Sequence, residues 1–79
     1  MVLEKLKIKA IYDDFLENVN LNETQIKILD MLLKKETIVK ISLDLSMSER
    51  AVGYEIRRIK DLYNDYYNLQ MLRAMLLLQ

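Results

Sequence analysis

The sequence predicts an all-α fold: a small bundle of four helices, a further helix at the N-terminus, and a helix-turn-helix near the middle. Three observations predict it. The chain has no Pro and a single Gly, Gly53, in 79 residues, so the turn chemistry of a β-rich fold is scarce. Apolar residues recur at i, i+3, i+4 and i+7 along much of the chain, the period of a helix with one buried face. Capping residues Asn22, Thr37 and Ser48 stand just ahead of three of these stripes, where helices begin.

The composition is 52% apolar and 30% charged, globular rather than disordered. A single domain of this size has a thin core and usually leans on disulfides, a metal or a second subunit. Cys and His are both absent, which removes disulfides, zinc fingers and Cys or His nucleophiles. A second subunit is left as the available support. The longest apolar run, Ala74–Leu78, is far too short to span a bilayer, so no membrane partner is expected. Lys5, Lys7 and Lys9 are followed by polar residues rather than the apolar core of a signal peptide; the expected location is the cytoplasm. Twelve Lys and Arg balance twelve Asp and Glu. Binding to nucleic acid through a general basic excess is therefore disfavoured, and any such role must rest on a local face.

The chain divides into residues 1–20, an amphipathic N-terminal helix, and residues 21–79, a helix-turn-helix domain ending in a dimerisation helix. In the first part Ile8, Ile11, Tyr12, Phe15, Leu16 and Val19 form one stripe, predicting a helix over 3–18 that covers the core or serves as a partner-binding arm. Asp13 and Asp14 read as solvated charges. Asn22 with Gln25 three residues on makes a capping box, and Leu21 can staple onto Ile26. The helix they start is expected from Glu23 to about Lys35, with Ile26, Ile28, Leu29, Leu32 and Leu33 as its buried face. Thr37 caps a short helix with Ile38, Ile41, Ser42 and Leu45. Ser46-Met47-Ser48 is a turn, and Ser48 caps a helix with Val52, Ile56, Ile59 and Tyr63 on one face. Asn64 and Asp65 favour turns and are expected to end that helix, with a last helix from about Asp65 or Asn68 to Leu78.

Residues 37–60 thus have the form of a helix-turn-helix. Small Ser42 sits where two helices approach, Leu45 and Met47 flank the turn and point inward, and Val52 and Ile56 face back onto the first helix. At about 100° per residue, Arg50, Tyr54, Arg57 and Asp61 fall opposite the apolar stripe, flanked by Gly53 and Arg58. Arg pairs bidentately with guanine or grips phosphate, and Tyr reaches a phosphate or a thymine methyl. Gly53 costs roughly 1 kcal/mol against Ala inside a helix; a position without a side chain lets the helix sit closer to a groove. The plainer reading makes these arginines a solvated face paired with Glu55 or Asp61. Their concentration on the exposed side after a recognisable turn favours double-stranded DNA as the partner.

Residues Leu21 to Leu78 resemble the DNA-binding domain of the LuxR/GerE family of bacterial transcription regulators, in its stand-alone form. Leu21-Asn22-Glu23-Thr24-Gln25-Ile26-Lys27-Ile28-Leu29 is similar to that family's first helix. Thr37, Ile41, Ser42 and Leu45 match its Ser-x-x-x-Ile-Ala-x-x-Leu helix, and Ser48-Glu49-Arg50-Ala51-Val52 its Ser-Glu-Lys-Thr-Val start. Departures are Lys34-Lys35-Glu36 in place of a Gly-containing loop, Leu62-Tyr63-Asn64-Asp65 in place of Lys-Leu-Gly, and Gly53 in place of a basic residue. The resemblance implies a four-helix domain whose third helix enters the major groove and whose fourth forms a dimer. It implies DNA contacts by Arg50, Tyr54, Arg57 and Arg58, with Thr37 and Ser48 on phosphates.

The C-terminal segment is apolar nearly all round, with Leu69, Leu72, Met75 and Leu76 among its residues. One side can pack on the core and another needs cover, which a second copy would supply. The expected function is a homodimeric, sequence-specific transcriptional regulator reading a palindrome with recognition helices roughly 34 Å apart. The alternative is an interaction module or inhibitor docking on a regulatory protein through its apolar helices. With no His or Cys, no Gly-rich phosphate loop, and Asp13-Asp14 read as solvation rather than a carboxylate pair, neither an enzyme nor a cofactor is expected.

Overall fold

The computed structural model describes residues 3–78, and within them every regular element is helical. A 3-10 turn at Glu4–Lys7 leads into α1 (Lys9–Asn18), followed by α2 (Glu23–Leu33), α3 (Ile38–Leu45) and α4 (Glu49–Leu77). The expected five helices are therefore four α-helices, because the last two are one. α4 runs 29 residues without a break, about 44 Å at 1.5 Å per residue, and sets the long dimension of a molecule 49 × 21 × 20 Å in extent.

The three expected caps are present. Asn22 Oδ1 accepts from Gln25 N at 2.8 Å and Gln25 Oε1 accepts from Asn22 N at 3.1 Å, closing the capping box. Thr37 Oγ1 accepts from Lys40 N at 3.2 Å and Ser48 Oγ from Ala51 N at 3.0 Å. The C-terminal ends of α2 and α3 share a second device. Lys35 and Ser46 take left-handed backbone angles, φ 62° and 54°. Glu36 N donates to Met31 O and Lys35 N to Leu32 O; Met47 N donates to Ser42 O and Ser46 N to Leu43 O. These are Schellman closures, a geometry that Gly adopts most readily. Lys35 stands in the stretch where the family pattern has Gly, and α2 stops two residues earlier than expected.

The core is Leu3, Leu6, Phe15, Ile28, Leu29, Ile41, Val52, Ile56, Ile59 and Tyr63. α4 is its spine, with α1, α2 and α3 all packed against it. The N-terminal segment enters this core, but not as one helix over 3–18. Ile8 is extended (φ −80°, ψ 117°) between the 3-10 turn and α1. The break shifts the helical phase, so Leu3 and Leu6, three residues apart on the 3-10 turn, are buried while Ile8 is exposed.

Asn64 and Asp65 do not interrupt α4. Both are exposed, and the residues around them hold the helix. Tyr63 is buried against Phe15, ring centroids 5.6 Å apart, and Tyr66 meets the edge of the same ring at 5.2 Å. The Tyr66 hydroxyl donates to Asp14 Oδ2, and the Tyr12 hydroxyl donates to Asp30 Oδ1. α1 is thus tied to α4 and to α2. Asp14 is half-buried and also accepts from the Asn18 side chain, so it joins the packing rather than a solvated face. Burial and the aspartate hydrogen bond push both tyrosines up to about 12, because each phenol holds its proton against a neighbouring carboxylate.

Among the described residues no helix is long and apolar enough to cross a membrane, and no cluster of carboxylates could hold a metal ion.

Candidate nucleic-acid interface

The elements around residues 37–60 place one side of α4 in solvent. The short α3 packs on α4 because Ile41 and Ser42 are buried between them. Ser42 is small enough for the approach, and its hydroxyl is satisfied by donating to Val39 O at 2.7 Å. Leu45 and Met47 lie half-buried on either side of the turn against the core. Val52, Ile56 and Ile59 then fix the rotation of α4, and the opposite sector faces outward.

On that sector Arg50, Gly53, Tyr54 and Arg57 line one shallow concavity. Arg50, Tyr54, Arg57 and Arg58 are all exposed, and Arg58 stands on the far side of Tyr54. Tyr54 is 66% exposed, too much for a residue recruited to the core. Gly53 has ordinary helical angles, and a Cβ built on it meets nothing within 4 Å. Nothing in the fold therefore requires Gly at this position. Thr37 and Ser48 are exposed helix caps; each hydroxyl accepts one backbone bond and keeps its own hydrogen free to donate.

Among the described residues no ion pair holds these arginines. The salt bridges among the described residues are Lys9–Asp13, Lys27–Glu23 and Lys40–Asp44, all between lysines and acids one turn apart. Glu55, one of the two partners the sequence offered, instead accepts from Gln25 Nε2 at 3.0 Å. This bond joins the start of α2 to α4 and leaves the arginines free. Neutrality of the whole chain also conceals an uneven distribution. Residues 34–60 carry seven Lys and Arg against four Asp and Glu, a net +3, so the rest of the chain is net −3.

Some surface features lay outside the sequence reading. Val39 and Leu43 are 53% and 73% exposed on α3; their i,i+4 spacing off the core stripe was the available signal. At the far end of α4, Leu69, Leu72, Met75 and Leu76 are 48–60% exposed. Leu69 borders a concavity with Asn18, Val19 and Asn20 at the end of α1, and none of the four lines the concavity of the arginine cluster. The chain matches no family model, no curated protein and no solved structure in the comparisons made.

Proposed function

We propose that the chain is a sequence-specific DNA-binding transcriptional regulator. In this reading α3, its turn and α4 act as a helix-turn-helix. α4 enters the major groove with Arg50, Tyr54, Arg57 and Arg58, and Thr37 and Ser48 donate to phosphates. The observation that carries the reading is the exposed face of α4: three arginines and a tyrosine, free of ion pairs, beside a glycine for which the fold has no need. The local charge of residues 34–60 supports it, as does the resemblance to the LuxR/GerE domain. A homodimer on a palindromic site fits the small core and the uncovered apolar end. No enzymatic activity belongs to this reading.

The test is binding to duplexes selected from a random pool, measured by anisotropy across a salt series. Affinity should fall linearly on a log–log plot with salt. Arg57→Ala and Arg58→Ala should each weaken binding, and loss of a phosphate contact should lower the slope by about one. An enriched palindrome would establish the site. No binding at about 100 mM salt, where even non-specific contacts to DNA persist, would sink the reading. The exposed leucines at the end of α4 favour one alternative, a module that docks on a regulatory protein. That alternative requires a partner retained when the Arg face is neutralised.

A further inference from the structure

Gln25 and Ser42 are the buried polar side chains among the described residues, and Gln25 uses both ends of its amide. Its Oε1 accepts from Asn22 N at 3.1 Å, which closes the capping box of α2. Its Nε2 donates to Glu55 Oε2 at 3.0 Å, across to α4. A capping box takes Glu as readily as Gln, since it needs only an acceptor oxygen. A carboxylate would also suit the positive end of α2. The cap therefore does not account for an amide at this position. The bond to Glu55 does, because a carboxylate only accepts and the amide supplies the donor.

Glu55 stands at the edge of the arginine face. At about 100° per residue it lies between the buried stripe of Val52, Ile56 and Ile59 and the exposed Arg58. Arg58, three residues on, is its neighbour on the helix surface; Arg57, two residues on, faces elsewhere. Glu55 and Arg58 nevertheless form no ion pair. We propose that Gln25 is a positioning residue for the DNA-binding face: its amide holds the Glu55 carboxylate against the first turn of α2 and so keeps Arg58 free for a phosphate. The hold on Glu55 stands on the contact itself. Its consequence for DNA rests on the DNA-binding reading above.

One hydrogen bond is enough to decide between the two partners of Glu55. A surface pair at i,i+3 is weak, because it orders two long side chains in water. Gln25 is already ordered: it is buried and its other end is bound to Asn22, so little freedom is lost when it meets Glu55. Released from Gln25, Glu55 would turn to Arg58 and replace a free cation on the face by a neutral pair. It would also carry a carboxylate toward the place where a phosphate sits. One phosphate contact fewer lowers the salt slope by about one, which at about 0.1 M salt amounts to roughly 5- to 10-fold in affinity. The first turn of α2 thus sets the charge that α4 presents, although it is not part of that face.

Gln25→Glu keeps the capping box but removes the donor and sets two carboxylates against each other. It should lower the midpoint of urea unfolding, weaken binding to a duplex selected from a random pool by roughly 5- to 10-fold at about 0.1 M salt, and lower the salt slope by about one. The swap of Gln25→Glu with Glu55→Gln has the formal charge of the native chain and rebuilds the bond with donor and acceptor exchanged. It should return midpoint, affinity and slope. Glu55→Gln alone should leave affinity near the native value, because Arg58 is already free. With Arg58→Ala in place, Gln25→Glu should weaken binding no further. A further loss in that background overturns the proposal, as does a gain from Glu55→Gln as large as the recovery in the swap, since charge alone would then explain both. A midpoint for the swap equal to the combined shifts of the single variants overturns it without DNA, because side chains that hold each other do not act additively. The two readings fail separately. If the native chain binds with its salt slope and Gln25→Glu binds equally well, only the role of Gln25 falls. If the midpoints couple and the native chain binds no DNA, the regulator falls and takes the phosphate role of Arg58 with it, while the hold on Glu55 stands.

Discussion

Gly53→Ala separates what the fold needs from what a groove would need. Gly53 lies in the second turn of α4 with helical angles and open space where a Cβ would stand. Ala is favoured over Gly in a helix by about 0.8–1.0 kcal/mol, and no contact opposes the added methyl. The variant should therefore be more stable by about 1 kcal/mol, raising Tm by roughly 4–8 °C in a domain of this size. Its effect on DNA has the opposite sign. A methyl beside Tyr54 and Arg57 holds the helix off the groove floor, and losing one well-formed arginine–base pair costs about 1–3 kcal/mol, or roughly 5- to 150-fold in affinity. Thermal unfolding by circular dichroism and anisotropy on a selected duplex read the two effects independently. A more stable variant with unchanged affinity would refute the role given to Gly53. A less stable one would refute the local geometry itself.

Other outcomes follow from the packing. Lys35→Gly and Ser46→Gly should each stabilise by about 1 kcal/mol in urea unfolding, since a left-handed residue with a Cβ costs about 1–2 kcal/mol and Gly returns part of the gain as chain entropy; the two should add, being at separate helix ends. Phe15→Ala should cost about 3–5 kcal/mol, as the ring is fully buried against Tyr63 and carries the edge contact with Tyr66; a loss below about 1 kcal/mol would mean α1 is not part of the core. Tyr12 and Tyr66 hold their protons up to about pH 12, above their ordinary value near 10. Their contribution is complete below pH 10 and lost as pH rises toward 12, so the Tyr12→Phe, Tyr66→Phe double variant should show a shallower decline in unfolding free energy across that window.

What the sequence made legible, and what it hid, has a physical pattern. The caps at Asn22, Thr37 and Ser48 depend on residues at most three positions away, and all three are found where local chemistry puts them. The core stripe of the first half of α4 is equally local: Val52, Ile56, Ile59 and Tyr63 share one face whatever packs on it. The Arg face followed by subtraction, as the sector left over. The failures are the places where distant residues decide. Ile8 lies on the periodic stripe, yet Leu3 and Leu6 take the core because the chain bends between them and α1. Asn64 and Asp65 looked like a break because each is a poor helix former, by roughly 0.6 kcal/mol. That penalty is small beside the burial of Tyr63, the contact of Tyr66 with Phe15, and the Tyr66–Asp14 hydrogen bond that joins residues 52 positions apart. None of those partners could be read from the neighbourhood of residue 64. Misreading this one junction also concealed the relation between the two faces of α4. Two separate helices would give the leucine-rich end any orientation relative to Arg50, Tyr54, Arg57 and Arg58. A continuous α4 fixes them on one side, because Phe15 and Asp14, far upstream in the chain, hold the helix through its weakest stretch.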